Sequence, residues 1–123
     1  FWLEETGIDG YRCDMAAQVP DYFWIEALAY LRKAKPDLFL LAESEHSPHR
    51  NLELFAASYG WSFHKLLNDI AQGKKNATAI DRWHKEDQLT YIAGYHLHFI
   101  TNHDENSHNG SEYERMGDAV EAM

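Results

Sequence analysis

The chain has 123 residues, of which 45% are hydrophobic and 14% aromatic, and this composition is typical of a single folded globular domain. Its 20 acidic and 11 basic residues give a formal net charge of −9, which disfavours a nucleic acid or an anionic membrane as partner and is compatible with a neutral substrate. The single cysteine excludes an internal disulfide, and no apolar run is long enough to predict a membrane span.

The first half of the chain predicts a strand, a helix and a second strand. Residues 8–14 form the first predicted strand. A helix follows from Pro20, which suits the first helical position, and it ends before Pro36. Residues 38–42 are all apolar, which predicts a strand that is buried on both faces, as in a parallel sheet. This order of elements is a βαβ unit.

The second half of the chain continues the alternation. The predicted elements are a loop over 46–53 that could run into a short helix, a weaker strand over 56–61, a helix over 63–72 capped by Ser62, a helix from Asn76 to 87, a strand over 95–102 and a helix over 112–123. Four strands therefore alternate with helices, and this alternation predicts an α/β fold with a parallel sheet.

Arg12 and Asp14 stand two residues apart on the first predicted strand. Side chains alternate across a strand, so both should point to the same side, where the cation would keep Asp14 ionised and hold its orientation. A fixed, ionised carboxylate suits a nucleophile or a stabiliser of positive charge. An ordinary ion pair near a strand end is the alternative interpretation.

Three acidic residues, Asp14, Glu43 and Asp104, each directly follow a predicted strand. Active sites in parallel α/β sheets and barrels form at the carboxyl ends of the strands, so these side chains are predicted to converge. Three converging carboxylates repel one another and so destabilise the fold. Such clusters therefore occur mainly at catalytic or binding sites. The pattern suggests either metal binding or glycoside hydrolysis.

Three short segments resemble conserved regions of the α-amylase family, glycoside hydrolase family 13. Gly10–Asp14 resembles the second region, Leu41–Glu43 the third and Phe99–Asp104 the fourth, in the order that the family has them. The resemblance implies a partial TIM (β/α)8 barrel covering about strands four to seven. Residues 1–123 would then be the central part of a single catalytic domain, an incomplete barrel within a longer protein.

The resemblance also implies a role for each of the three acids. Asp14 would be the nucleophile that forms a covalent glycosyl-enzyme. Glu43 would be the general acid and then the base, and the apolar run before it favours the raised pKa that a general acid requires. Asp104 would bind hydroxyls of the distorted sugar and stabilise the oxocarbenium-like transition state.

Four further residues of the matching segments would contact the substrate or support the acids. Arg12 would hold the nucleophile ionised, and His103 would hydrogen-bond the same sugar ring. The predicted substrate-binding set is Arg12, Tyr11, Asn102 and His103. Aromatic faces suit the apolar faces of sugars, which is the reason for including Tyr11.

The whole protein is predicted to be a retaining glycosidase that hydrolyses α-1,4-glucans such as starch or maltodextrin, with an α-glucan oligosaccharide or polysaccharide as its partner. We predict no metal site and no cofactor in this piece, while the resemblance allows calcium in the full-length protein. The isolated chain is expected to be inactive, because part of the sugar site lies on a missing strand. It is also expected to self-associate, because a partial barrel leaves bare sheet edges.

Two other hypotheses stay open at this stage. His96 and His98 would share a strand face, as in metal-dependent hydrolase barrels that bind zinc through histidines and an aspartate. A non-catalytic carbohydrate-binding piece is the second alternative. The remaining histidines show no ligand spacing and are predicted to lie on the surface or in loops; they are His46, His49, His64, His84 and His108.

Overall fold

The computed structural model describes all 123 residues, which form two compact units. The first unit comprises Phe1–Tyr59 and Thr90–Leu97, and the second comprises Gly60–Leu89 and His98–Met123. The chain was predicted to be the central part of one catalytic domain. Because this assignment concerns a longer protein, it stays a prediction.

The first unit holds a sheet of four parallel strands in the order β1-β2-β3-β4. Its elements are α1 (Trp2–Glu5), β1 (Gly10–Cys13), a 3₁₀ helix (Ala16–Gln18), α2 (Asp21–Ala34), β2 (Phe39–Ala42), α3 (Ser47–Asn51), β3 (Ala57–Tyr59) and β4 (Tyr95–Leu97). The predicted parallel α/β sheet with four strands is confirmed.

The second unit is built from helices. Its elements are α4 (Trp61–Ala71), α5 (Ala79–Thr90, of which the last residue belongs to the first unit), α6 (His103–His108), α7 (Glu112–Met116) and a 3₁₀ helix (Gly117–Ala122). None of the helices in the chain combines the length and the apolar character that a membrane span requires.

One face of the sheet carries the hydrophobic core of the first unit. On β2, Leu40 and Ala42 are fully buried, and they belong to the same core cluster as Trp24 and Leu28 of α2. The indole Nε1 of Trp24 donates to the backbone oxygen of Ala16 at 2.9 Å, so its single polar atom is satisfied inside the core. The apolar stripe of α2 therefore faces the sheet, as its helical spacing predicts.

The other face of β2 is open, which corrects the prediction that this strand is buried on both faces. Phe39 is 51% exposed and Leu41 is half-buried, and both alternate with the buried Leu40. Arg12 of β1 pairs in register with Leu41, so the open face is also the face that carries the predicted nucleophile.

Several predicted helix boundaries shift in the structure. Pro20 is the N-cap of α2 rather than its first residue. Gly60 is the N-cap of α4, so Ser62 lies inside that helix, where its hydroxyl accepts a hydrogen bond from Trp83 at 2.8 Å. Asn76 lies three residues before α5, and its side chain accepts from the backbone N–H of Thr78 at 3.0 Å.

The last predicted strand and the last predicted helix are both shorter than expected. β4 ends at Leu97, and residues 98–102 leave the sheet. α7 ends at Met116, because Gly117 has a positive φ of 55° and the chain continues as a 3₁₀ helix. Asp104 consequently stands in α6 and does not directly follow a strand, contrary to the prediction.

Candidate active site

Glu43 lies at the carboxyl end of β2 and is almost completely buried, with 7% of its surface exposed. Both of its carboxylate oxygens have partners in the first unit. Oε1 lies 2.8 Å from Nη2 of Arg12, and Oε2 accepts a hydrogen bond from the backbone N–H of Met15 at 3.0 Å. These two contacts hold the carboxyl group in one orientation.

Met15 reaches Glu43 because its backbone turns sharply after β1. Its φ of 46° is in the left-handed region, which a residue with a side chain seldom adopts. This turn directs the Met15 N–H at Glu43 instead of continuing the strand. A strained residue directly after Asp14 agrees with the tendency of such conformations to occur at functional sites.

Arg12 contacts both Asp14 and Glu43. Its Nη1 lies 3.4 Å from Oδ2 of Asp14, while Nη2 contacts Glu43. Nε of Arg12 lies 3.4 Å from the hydroxyl oxygen of Tyr59 on β3, so the guanidinium is supported from a third strand. The predicted pairing of Arg12 with Asp14 on one side of β1 is therefore present.

The two acids of this pair have different surroundings. The side chain of Asp14 is 73% exposed, whereas that of Glu43 is 5% exposed. Burial raises the pKa of Glu43, and the nearby carboxyl of Asp14 raises it further. The N–H of Met15 and the cation of Arg12 lower the pKa of Glu43, but burial is the largest influence. A buried acid with a raised pKa beside a solvent-exposed acid is the arrangement that a general acid and a nucleophile require.

Tyr11 lies on the opposite face of β1 from Arg12, as strand alternation requires. It is partly buried and packs against the hydrophobic core cluster of the first unit. This environment favours a packing role. Sugar binding by Tyr11 stays a prediction, and its position in the core counts against it.

The other predicted site residues belong to the second unit and stand around the start of α6. Asn102 is the N-cap of that helix, and its Oδ1 accepts from the N–H of Glu105 at 2.8 Å. The side chain of His103 is 75% exposed, and its Nε2 lies 3.6 Å from Oδ2 of Asp104. The structure thus groups Asn102, His103 and Asp104 with one another, and the meeting of all three acids at one site stays a prediction.

His96 and His98 do not form the strand pair that a zinc hydrolase would need. His96 belongs to β4, and its Nε2 lies 2.8 Å from Nη1 of Arg50. His98 follows the end of the strand and packs against the rings of Phe63 and Trp83, with ring centroids 4.7 Å and 5.9 Å away. Each histidine therefore has its own set of neighbours within its own unit.

Two histidines that were predicted to lie on the surface or in loops are in fact buried. His64 of α4 stacks on Phe99 at 4.7 Å, and its Nε2 lies 3.1 Å from Oε2 of Glu105. His49 of α3 is completely buried, and it stands with Asp21 and His46 in a cluster of possible ligand atoms. The spacing of His46 and His49, three residues apart, was the available sequence signal for that cluster.

The comparisons with known proteins agree with the geometry of the first unit. No family model matches the chain. A cyclomaltodextrinase from Bacillus sp is 44% identical over 46 residues, which is 37% of this chain and 8% of that protein. An alpha-amylase from Lactobacillus plantarum has a similar structure, with a TM-score of 0.79 and 26% identity over 98% of this chain and 31% of the amylase.

The chain matches part of the catalytic barrel of the α-amylase family. A noncanonic maltogenic alpha-amylase from Thermotoga neapolitana supports the same assignment, with a TM-score of 0.72 and 29% identity over 84% of this chain and 24% of that chain. The predicted resemblance and the predicted fold, a partial (β/α)8 barrel, are both confirmed. The chain spans less than a tenth of the length of the cyclomaltodextrinase that it matches.

Proposed function

We propose that the whole protein is a retaining glycoside hydrolase that acts on α-1,4-glucans, with Asp14 as the nucleophile and Glu43 as the general acid and base. The observation that carries this proposal is the Arg12 guanidinium between an exposed Asp14 and a buried Glu43. The similarity to a cyclomaltodextrinase and to amylases supports the reaction class and the substrate class.

The proposed reaction has two steps. In the first, Glu43 donates its proton to the glycosidic oxygen while an Asp14 oxygen attacks the anomeric carbon, so the glycosidic bond breaks and a covalent glycosyl-enzyme forms. In the second, Glu43 removes a proton from a water molecule, whose oxygen attacks the same carbon and releases Asp14. Two inversions leave the anomeric configuration retained.

The raised pKa of Glu43 suits the first step, because the carboxyl group must be protonated when substrate binds. Arg12 suits both steps: it holds Asp14 as an anion for the attack, and it remains beside Glu43 when that group becomes a carboxylate. Tyr59 supports Arg12 in this position from β3.

The proposed roles of the second-unit residues follow from the family resemblance. Asp104 would bind sugar hydroxyls and stabilise the positive charge of the transition state, and Asn102 and His103 would contact the same ring. His103 is well exposed and accessible to a ligand in the second unit.

The test is an assay of maltooligosaccharide cleavage by the full-length protein, with the anomer of the product followed by proton NMR. We expect the α-anomer to appear first. Asp14→Asn and Glu43→Gln should each reduce kcat/KM by about 10³-fold or more, because each removes a group that acts on the reacting bond. Asp37→Asn and Glu26→Gln, both at exposed positions, are the matched controls and should keep full activity.

Two results would contradict the proposal. If the β-anomer appears first, the reaction inverts and Asp14 is not a covalent nucleophile. If Asp14→Asn retains activity within tenfold of the natural protein, the residue assignment fails even if the substrate class is right. The isolated 123-residue chain should show no turnover, because it covers only 31% of the Lactobacillus plantarum amylase that it resembles.

A further inference from the structure

A second cluster of polar side chains lies in the first unit and includes neither Asp14 nor Glu43. Asp21 is the first residue of α2, His46 directly precedes α3, and His49 lies within α3. Their potential ligand atoms all lie within 4.8 Å of one another. The fold therefore brings one carboxylate and two imidazoles to one place.

His49 is the most informative member of this cluster. It is completely buried, and its Nδ1 lies 2.8 Å from the hydroxyl of Ser44. Its Nε2 is buried without a hydrogen-bond partner. Oδ1 of Asp21 lies 3.5 Å from Nε2, which is longer than an ordinary hydrogen bond. A buried, unpaired ring nitrogen requires an explanation, because most buried polar atoms are paired.

The hydrogen bond between His49 and Ser44 suits a metal-binding role for His49. When Nδ1 carries the proton and donates it to Ser44, Nε2 presents its lone pair to the cluster. A metal-bound histidine usually donates its other ring N–H to a nearby acceptor, and this hydrogen bond fixes the orientation of the ring.

Each of the two imidazole nitrogens lies close to one oxygen of Asp21. The two contacts use different oxygens of that carboxylate, so the side chain would turn slightly for a single oxygen to coordinate. Nε2 of His46 lies 3.2 Å from Oδ2 of Asp21, and Nε2 of His49 lies 3.5 Å from Oδ1 of the same carboxylate. Zinc bonds of about 2.0–2.1 Å give a tetrahedron whose edges are about 3.3 Å. Asp21 and His46 are partly exposed, so the fourth position is accessible to water.

We propose that Asp21, His46 and His49 bind one Zn²⁺ ion, with water as the fourth ligand. Two imidazole nitrogens favour zinc over calcium, which prefers oxygen ligands. The ion would join the start of α2 to the segment that follows Glu43, and thereby fix the carboxyl end of β2. This inference does not rest on the proposed function, because metal binding can be measured without any turnover.

An ordinary ion pair between His46 and Asp21, with His49 packed against Trp24 and Phe55, is the competing explanation. It accounts for the packing of the His49 ring but leaves its buried Nε2 with only the long contact to Oδ1 of Asp21 at 3.5 Å. The two explanations differ in a measurable way, since only the zinc site requires all three side chains for tight binding of a single ion.

The test is a titration of the metal-free full-length protein with Zn²⁺ in competition with a chromophoric chelator. We expect one tight equivalent in the natural protein. Asp21→Asn and His46→Ala should each weaken that affinity at least tenfold, whereas His84→Ala, which removes an exposed histidine of α5, should leave it unchanged. The chain has eight histidines, so the control separates the proposed site from loose surface binding.

Thermal unfolding provides an independent measurement. A ligand that binds only the folded state stabilises it, so Zn²⁺ should raise the Tm of the natural protein and of His84→Ala, and should leave the Tm of Asp21→Asn unchanged. Any effect of Ca²⁺ on the Tm should be the same in all three proteins, because the proposed site favours zinc. The proposal is overturned if the tight equivalent is absent, or if all variants bind Zn²⁺ with the same affinity.

Discussion

At the scale of single residues, two carboxyl groups beside Arg12 stand in different surroundings. Arg12 contacts both acids, so its charge alone does not distinguish them. Burial distinguishes the two acids, because the side chain of Glu43 is enclosed and that of Asp14 faces solvent. The environment of Glu43 is therefore expected to reduce the stability of the fold at neutral pH.

Glu43→Gln should be more stable than the natural protein at pH 7. The pKa of Glu43 is raised in the folded state, so the folded protein keeps this proton to a higher pH than the unfolded chain does. Stability is then lost as pH rises through the folded-state pKa, and it is fully present below the unfolded value of about 4.3. Free energies of unfolding in urea, measured from pH 4 to pH 7, should show the advantage of the variant growing with pH.

Glu26→Gln is the control for this series, because Glu26 lies at an exposed position of α2. It should change the free energy of unfolding by less than about 0.5 kcal/mol. If Glu43→Gln is instead less stable than the natural protein at pH 7, the ion pair with Arg12 outweighs the cost of burial, and the role of Glu43 as a protonated acid loses its physical basis.

At the scale of elements, the sheet of the first unit depends on a close approach between β1 and β2. A Cβ atom at Gly10 would lie 2.2 Å from the backbone oxygen of Phe39, so only glycine allows the two strands to pair at this point. The same pairing brings Cys13 beside Ala42 and therefore Asp14 beside Glu43. The helix α2 secures this arrangement by covering the other face with Leu28 and Trp24.

Leu28→Ala should destabilise the fold by about 2–5 kcal/mol, because Leu28 is 1% exposed and its removal leaves a cavity between α2 and the sheet. Leu89→Ala is the matched control, since Leu89 is 86% exposed and should change stability by less than about 0.5 kcal/mol. Equal losses in the two variants, measured by urea unfolding, would show that the contact of α2 with the sheet contributes little to stability.

At the scale of the whole molecule, the chain leaves an apolar sheet surface uncovered. We call this surface the open sheet face; its apolar members are Phe39, Leu41, Tyr95 and Leu97. Tyr95 is 77% exposed, although it stands in a strand. In a complete barrel this face would point inward, and the chain covers 31% of the Lactobacillus plantarum amylase that it resembles. β1 and β4 are also edge strands, with free pairing positions.

The isolated 123-residue chain should therefore self-associate, because a second copy can cover the open sheet face. Sedimentation velocity should show an average mass that rises with concentration. A Phe39→Ser/Tyr95→Ser variant should reduce this association, whereas Leu89→Ser, which removes an equally exposed apolar side chain outside the sheet, should not. A single monomeric species at high concentration would contradict the expectation.

The sequence by itself predicted the order of the four strands, their parallel arrangement and the pairing of Arg12 with Asp14. These features depend on local periodicity and on the alternation of side chains along a strand, which short segments encode directly. It also predicted that Glu43 would have a raised pKa, because an apolar run leads into it. It did not predict where β4 ends, since Asn102 caps a helix that replaces the expected end of the strand.

Only the tertiary structure decided which face of β2 is buried. It also decided that Arg12 contacts Glu43 as well as Asp14, and that His49 of α3 lies near Asp21 of α2. These contacts join residues that are distant along the chain. Their geometry depends on how α2 packs on the sheet, and a pattern of neighbouring residues carries no information about that packing. The local pattern thus determined the elements, while packing decided which of their side chains meet.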